Sequence, residues 1–223
     1  GLMGDRSAKP MLQAVGKSPM PRANAAREAV VRIQIAEALV RLGDEEALAP
    51  LRAAVYSRHL EARVLAVTVL GKLGDHKIVG MIRPFLDEPP IELQLASAKA
   101  LAQLGEPSGL EVLIRGASMT QQQVRERAER FLGQSKRMEV SARFKRLLDD
   151  KQLRESVAAN LRSQAAFGLG YLDHPRAARK LVELLKTDPV PRVKLAAAAA
   201  ILRAVEGEDA GPTVAERARG SEG

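Results

Sequence analysis

The sequence predicts an all-α fold, an α-solenoid wound as a right-handed superhelix, and a regular repeat carries this prediction. Between Val31 and Ala117 the pattern returns every 31 residues. Leucines recur in two columns of the repeat, at Leu39, Leu70, Leu101 and Leu132, and at Leu42, Leu73 and Leu104. Each unit closes on a glycine and an acid, at Gly43-Asp44, Gly74-Asp75 and Gly105-Glu106. A fixed period of this length is typical of units that bury their apolar face only by stacking on one another.

Each unit is predicted to contain two helices joined by a tight turn. In residues 63–91, apolar side chains recur at helical spacing until Gly74 and Asp75 end the first helix. Glycine accepts the left-handed conformation at a helix end, and an aspartate can cap the next helix through its carboxylate. The second helix ends at Pro89 and Pro90, because proline does not continue a helix. We name the two helices of such a hairpin A and B.

The residues around three turns resemble the HEAT-like repeats of the bacterial type first noted in phycobilisome lyases. The resemblance rests on AEALVRLGD at residues 36–44, VTVLGKLGD at residues 67–75 and AKALAQLGE at residues 98–106. It covers most of residues 28–203. The resemblance implies helical hairpins stacked in a solenoid, and a fold alone does not imply an activity.

The repeat register predicts one domain over residues 1–205 and a polar, mobile tail over residues 206–223. We expect a lone B helix over residues 5–15 and a lone A helix over residues 192–205. About five hairpins lie between them, over residues 28–57, 59–88, 90–119, 121–150 and 158–187. An insertion within residues 149–160 is compatible with either an extended helix or a loop. Half repeats at both ends are typical of a segment of a longer protein or of an end covered by a partner, and a homodimer through an exposed end is the alternative.

Composition and motifs exclude several kinds of site. The chain has no cysteine, which excludes disulfides, thiolate metal sites and a catalytic cysteine. His59, His76 and His174 have no second histidine or acid at metal-ligand spacing, so we expect no metal. No nucleophile motif or phosphate-binding loop is present, and the Gly-Leu-Gly at residues 168–170 predicts a close helix contact. We therefore expect a non-catalytic protein without a cofactor.

The sequence gives little sign of a membrane or of export. It has no run of about 18 apolar residues, so we expect no membrane span. The first residues lack the apolar stretch of a signal peptide. We expect a cytoplasmic protein, and export with a leader that has been removed is also compatible with the sequence.

One column of the A helices is rich in arginine. Its members are Arg32, Arg63, Gln94, Arg125, Arg162 and Arg192. An arginine at this position can bridge to a turn carboxylate such as Asp44 or Asp75 through two hydrogen bonds. Residues that follow the repeat usually serve the repeat itself, so we expect a structural ladder.

Positive charge is concentrated in the fourth and fifth hairpins. The net charge of +8 divides into +4 for residues 1–27, −2 for 28–120, +9 for 121–203 and −3 for 204–223. The resemblance implies that the B helices line a concave face. Five basic residues of the predicted B helices are candidate contacts: Arg115, Arg143, Arg146, Arg179 and Lys180. We expect them to bind the carboxylates of another protein with an acidic segment.

Other interpretations of these basic residues stay open. They can simply keep the surface solvated. They can also bind the phosphate backbone of nucleic acid, since lysine and arginine clusters neutralise phosphates without reading sequence. The resemblance also implies two further alternatives, a bilin-lyase-like protein and a HEAT-like DNA glycosylase. A glycosylase needs a carboxylate and an aromatic cage, and the aromatic residues of this region are predicted to be buried: Phe131, Phe144, Phe167 and Tyr171.

Overall fold

A computed structural model describes residues 6–20, 23–134 and 145–206, and the regular structure in these ranges is helical without any strand. The predicted all-α fold is confirmed. The predicted tail beyond residue 206 and much of the fourth B helix lie outside the described residues. Contacts divide the chain into two compact units, with the boundary between Gly109 and Leu110. The grouping of residues 1–205 into one repeat domain stays a prediction.

The first unit alternates B and A helices. Its α-helices are α1 (Lys9–Lys17), α2 (Ala25–Arg41), α3 (Leu48–Ala54), α4 (Leu60–Lys72), α5 (Val79–Ile82) and α6 (Ile91–Gln103). Short 3₁₀ helices adjoin them at Arg6–Ala8, Glu45–Ala47, His76–Ile78, Arg83–Leu86 and Pro107–Gly109. The A helix α4 packs against both α2 and α6, so the A helices form a continuous layer. The leucine columns of these helices are buried, which confirms that they form the core.

The turns between A and B helices have the predicted conformation. Gly43, Gly74 and Gly105 have φ angles of +83°, +72° and +78°, in the left-handed region that favours glycine. The carboxylate of Asp75 accepts a hydrogen bond from the backbone N–H of Lys77 at 3.3 Å and so caps the following 3₁₀ helix. The predicted capping role of the turn acid is therefore confirmed at Asp75, whereas the side chain of Asp44 makes no capping hydrogen bond.

The B helix of the second hairpin departs from the regular pattern. After the four residues of α5 the chain tightens into the 3₁₀ helix Arg83–Leu86. Pro84 explains the change, because proline lacks the N–H of an α-helical hydrogen bond and its ring clashes with the carbonyl four residues earlier. Pro10 and Pro50 fall within the first turns of α1 and α3, where this N–H has no helical partner, and both helices continue.

The lone B helix α1 buries less than its sequence alignment suggested. Its Met11 and Val15 are exposed, although they occupy the positions of Leu51 in α3 and Val55 directly after it, which are both fully buried. Within the described residues α1 packs on α2, whereas α3 packs on both α2 and α4. A helix with a neighbour on one side only cannot bury the whole of its apolar face.

The second unit contains the long helix that the sequence left undecided. Its α-helices are α7 (Leu110–Ala117), α8 (Gln121–Gln134), α9 (Lys151–Leu169), α10 (Pro175–Thr187) and α11 (Pro191–Glu206), and residues 145–149 are also helical. The Asp150 carboxylate accepts a hydrogen bond from the N–H of Leu153 at 2.9 Å and caps α9. From Lys151 onward, the inserted residues therefore extend the A helix.

Two glycines let α9 approach its neighbours closely. A Cβ atom on Gly168 would lie 2.5 Å from Leu113 Cδ2 on α7. A Cβ atom on Gly170 would lie 2.7 Å from Ala200 Cβ on α11. The predicted close helix contact at residues 168–170 is confirmed, and it involves a different helix at each glycine.

Candidate binding surface

The arginine column is built into the helix packing, but through partners other than those expected. Arg63 donates to the carbonyl of Val55 at the end of α3, at 3.3 Å, and to both carboxylate oxygens of Glu88, with Nη2–Oε2 at 2.9 Å. The expected pairing with Asp44 or Asp75 is wrong. Arg63 lies in the first turn of α4 and Asp75 follows its last turn, so about 18 Å of helix axis separates them.

The turn acids pair instead with the preceding B helix. Asp75 accepts two hydrogen bonds from Arg52 of α3, at 2.6 and 2.9 Å. This hydrogen bonding raises the pKa of Arg52 above its ordinary value. Asp44 accepts a hydrogen bond from Gln13 of α1 at 2.7 Å, and its carboxylate lies 3.6 Å from the ammonium group of Lys9. The turn acids therefore hold successive B helices and turns together.

Arg162 is the buried member of the column among the described residues. It donates to the carbonyl of Met119 at 2.8 Å, to Asp188 at 2.7 Å and to Glu155 at 2.8 Å. Burial acts to lower the pKa of this guanidinium, but the hydrogen bonds to Asp188 and Glu155 outweigh it and the pKa is raised. Arg162 stays charged and ties α9 to the end of α7.

Arg125, the fourth member of the column, does not bridge to another helix as the repeat predicted. The remaining arginines donate elsewhere: Arg32 to Glu28 and to the carbonyl of Gly16, Arg192 to the carbonyl of Ser156, and Arg125 to Glu129 of its own helix. Arg162, rather than Arg125, contacts the end of α7. Hence the arginine of α9 contacts the end of α7 in the same way that the arginine of α4 contacts the end of α3. The helix α8 lies between α7 and α9 in the sequence but does not make this contact.

The exposed side chains of α7 and α10 form the candidate site, which we name the α7–α10 surface. These two B helices are neighbours. Arg115 on α7 and Arg179 on α10 are exposed, and neither has an ion-pair partner among the described residues. Lys180 differs, because its side chain is only 14% exposed and pairs with Glu183 at 2.7 Å. Two of the predicted contact residues are thus available to a partner on adjacent helices.

An ion pair that the sequence did not reveal joins the two helices. Arg176 of α10 donates through both Nη atoms to the carboxylate of Glu111 on α7, with Nη2–Oε2 at 3.1 Å. The hydrogen bond from Arg176 lowers the pKa of Glu111, and the charges of nearby Arg115 and His174 act in the same direction. The repeat columns aligned neither residue of the pair with the other, because they placed the fourth B helix between α7 and α10.

The other predicted contacts lie elsewhere. Arg143 is outside the described residues. Arg146 is in the helical residues 145–149, which adjoin the start of α9: Arg154 donates to the carbonyls of Leu147, at 2.9 Å, and Leu148. Arg146 therefore belongs to the segment that leads into α9, and neither α7 nor α10 carries it. Its role as a partner contact, like that of Arg143, stays a prediction.

A search for other kinds of site concerns the described ranges only. In residues 6–20, 23–134 and 145–206, no group of three or more histidines and acids is arranged to hold a metal ion. None of the helices in that part of the chain is long and apolar enough to cross a bilayer. Phe167 and Tyr171 are half-buried, and the guanidinium of Arg203 lies 4.6 Å from the Tyr171 ring centroid. The side chains of Phe131 and Phe144 lie outside what the structure describes.

Comparison with known families agrees with the hairpins and their turns. A family model described as HEAT repeats matches residues 54–133 and 151–222. A second, described as PBS lyase HEAT-like repeat, matches residues 31–57. No curated protein matches the chain at a significant level. The resemblance seen in the sequence is confirmed by these two family matches.

Proposed function

Because this chain belongs to the family of HEAT-repeat proteins, we propose that it is a non-catalytic interaction or scaffold module that binds a protein partner at the α7–α10 surface. HEAT repeats commonly mediate protein–protein interaction. The observation that carries the proposal is the pair of exposed guanidinium groups of Arg115 and Arg179, which have no ion-pair partner among the described residues. Such groups are suited to bind planar carboxylates through two hydrogen bonds.

The chemistry of the partner follows from what lies beside these cations. Val182 is one helix turn after Arg179 on α10 and is exposed, as is Leu185. A partner segment with acids and apolar residues on one face would satisfy both features, since an amphipathic helix can lay its apolar side against exposed hydrophobic groups. We therefore propose an acidic, amphipathic segment of another protein as the occupant of the surface.

Nucleic acid is the second candidate, and the same exposed arginines favour it. Arginine side chains bind phosphates as well as carboxylates, and this binding weakens steeply with salt. Two carboxylates on the surface oppose it, those of Glu111 and Glu183, because each would repel a phosphate backbone. Mixed charge together with exposed apolar residues favours a protein partner.

Affinity capture from the source cell with nuclease treatment tests the proposal. The full chain is compared with an Arg115→Glu/Arg179→Glu double variant. We expect a discrete protein that survives nuclease with the unsubstituted chain and is lost with the double variant. The matched control is Arg58→Glu/Lys77→Glu, which makes the same change of charge at exposed positions of the first unit and should keep the partner.

Two results would contradict the proposal. Capture that is unchanged by the double variant would show that the partner binds elsewhere. Loss of every partner on nuclease treatment would place nucleic acid first, and the slope of binding against salt would then count the phosphate contacts.

A further inference from the structure

The ion pair between Glu111 and Arg176 is well formed but open to solvent. It joins the first turns of α7 and α10 through two parallel hydrogen bonds. The side chains remain 62% and 47% exposed. Water competes for both groups, which limits what even a pair with two hydrogen bonds contributes to stability. The Arg176 fork can therefore exchange one carboxylate for another at low cost.

Glu111 has more positive charge around it than it can neutralise. Arg176 holds it directly, and Arg115 and His174 are near enough to lower its pKa as well. Arg115 lies four residues after Glu111, on the same side of α7, and has no ion-pair partner in the described part of the chain. The cluster thus has capacity for a second carboxylate.

We propose that Arg176 is a carboxylate-binding residue for an acidic protein segment, and that Glu111 occupies it in the free protein as an internal competitor. This inference rests on the proposed function and adds the residues that set the affinity. When the partner's carboxylate takes the Arg176 fork, Glu111 pairs with Arg115 of its own helix, and the remaining N–H groups of the Arg115 guanidinium stay available to the partner. A glutamate four residues before a basic residue is the favourable order for such a pair. Glu111, Arg115 and Arg176 then all remain paired in the complex.

The geometry favours a carboxylate over a phosphate backbone. The two Nη atoms of Arg176 already bind the two oxygens of one carboxylate, which is the arrangement that a partner glutamate or aspartate would copy. A nucleic acid would bring several phosphates along the surface, where the displaced Glu111 and the exposed Glu183 would repel them. Preferential binding of nucleic acid is therefore a distinct outcome of the test.

The test measures fluorescence anisotropy with the full chain and two labelled probes of equal net charge. One is a helical peptide with glutamates on one face and leucines on the other, and the second is an oligothymidylate. We expect Glu111→Gln to tighten peptide binding about twofold to fivefold, because an exposed ion pair competes only weakly. Arg176→Gln should weaken binding about tenfold. In the Arg176→Gln background, Glu111→Gln should then have little further effect, because the two residues act through one contact.

Glu183→Gln is the matched control, since it removes the same charge from the same surface but leaves Arg176 engaged with Glu111. An equal gain in this control would mean that only total charge matters, and the proposal would fail. It would also fail if Glu111→Gln left peptide binding unchanged, if the gain persisted without Arg176, if no variant bound the peptide, or if only the oligothymidylate bound more tightly.

The capture experiment separates this failure from that of the proposed function. A partner lost with the Arg115→Glu/Arg179→Glu variant, together with unchanged peptide binding by Glu111→Gln, would keep the interaction surface and reject the internal competitor. Capture that is insensitive to the double variant would reject the proposed function itself.

Discussion

Arg63 in the first unit and Arg162 in the second occupy the same position of their A helices and make the same two kinds of contact. Each donates to a carbonyl at the end of an earlier B helix and to an acid that follows its own B helix. They differ in burial: the side chain of Glu88 is 42% exposed, whereas that of Asp188 is 4% exposed. The same arrangement of contacts thus gives a solvent-exposed ion pair in the first unit and a buried one in the second. The position of an arginine in the repeat therefore does not determine how much its ion pair contributes to stability.

The largest expected effect is the loss of the buried pair. Arg162→Ala would leave Asp188 and the carbonyl of Met119 without their partner, and breaking a buried pair in this way costs about 3–5 kcal/mol. Arg63→Ala should cost less, about 1–2 kcal/mol, because water can solvate Glu88 and only the Val55 carbonyl and the Phe85 ring, 4.7 Å from the guanidinium, lose a buried contact. Urea unfolding followed by circular dichroism measures both changes. Arg125→Ala is the control, since it removes only an exposed pair within α8 and should change little. Equal losses for Arg63→Ala and Arg162→Ala would refute the comparison.

A smaller effect tests whether the A helices of the two units pack with equal tightness. A Cβ atom on Gly71 would lie 2.8 Å from the backbone of Ala100, and one on Gly170 would lie 2.7 Å from the carbonyl oxygen of Ala200. Because backbone atoms cannot yield as a flexible side chain does, alanine at either glycine should destabilise the protein by about 1–3 kcal/mol. Thermal unfolding is the measurement.

Gly80→Ala is the matched control for this pair of substitutions. Gly80 lies in α5 and a Cβ atom there would meet nothing within 4 Å, so alanine should be neutral or should stabilise by up to about 1 kcal/mol. If Gly71→Ala and Gly170→Ala were as mild as Gly80→Ala, the close approach of the A helices would be wrong. A loss at one glycine alone would show that the units differ in packing as well as in the burial of their ion pairs.

The smallest effect concerns the exposed pair of the second unit. Arg176, with Arg115 and His174 nearby, lowers the pKa of Glu111. A carboxylate with a lowered pKa in the folded state is fully paired above its ordinary pKa and loses its pairing as the pH falls through the lowered value. An NMR titration of the Glu111 carboxyl carbon should therefore give a higher pKa in Arg176→Gln than in the unsubstituted chain. Identical titration curves would show that the hydrogen bond does not form in solution.

The hairpins were predictable from the sequence because the features that determine them are local. Gly74 takes a backbone conformation that few other residues accept, and the leucine columns follow the spacing of one helix face. The start of α9 is also marked in the sequence. Asp150 stands directly before the helix and is a favoured N-cap residue, which indicates an extended helix and not a loop.

The candidate site was harder to predict because it depends on which helices become neighbours. The columns assumed that each B helix packs on the next one in sequence, whereas α7 packs beside α10. Arg115 and Arg179 were identified by residue type and by their positions on the predicted B helices, but Glu111 and Arg176 are 65 residues apart and share no repeat position. Glu88 was not predicted as the partner of Arg63 for a simpler reason. The repeat column gives the position of Arg63 in its helix, but it does not tell which end of the neighbouring helix the side chain can reach.

The contacts of the arginine column also affect how the helices come apart. Arg63 links the end of α3, its own helix α4 and Glu88 after the next B helix, and Arg162 makes the corresponding three-way link in the second unit. A helix end held in this way cannot fray independently, because its release also frees a neighbouring repeat. Local opening therefore couples adjacent repeats, as in a one-dimensional chain with nearest-neighbour cooperativity. Backbone amides near Met119 and Asp188 should then exchange with solvent through a common opening event.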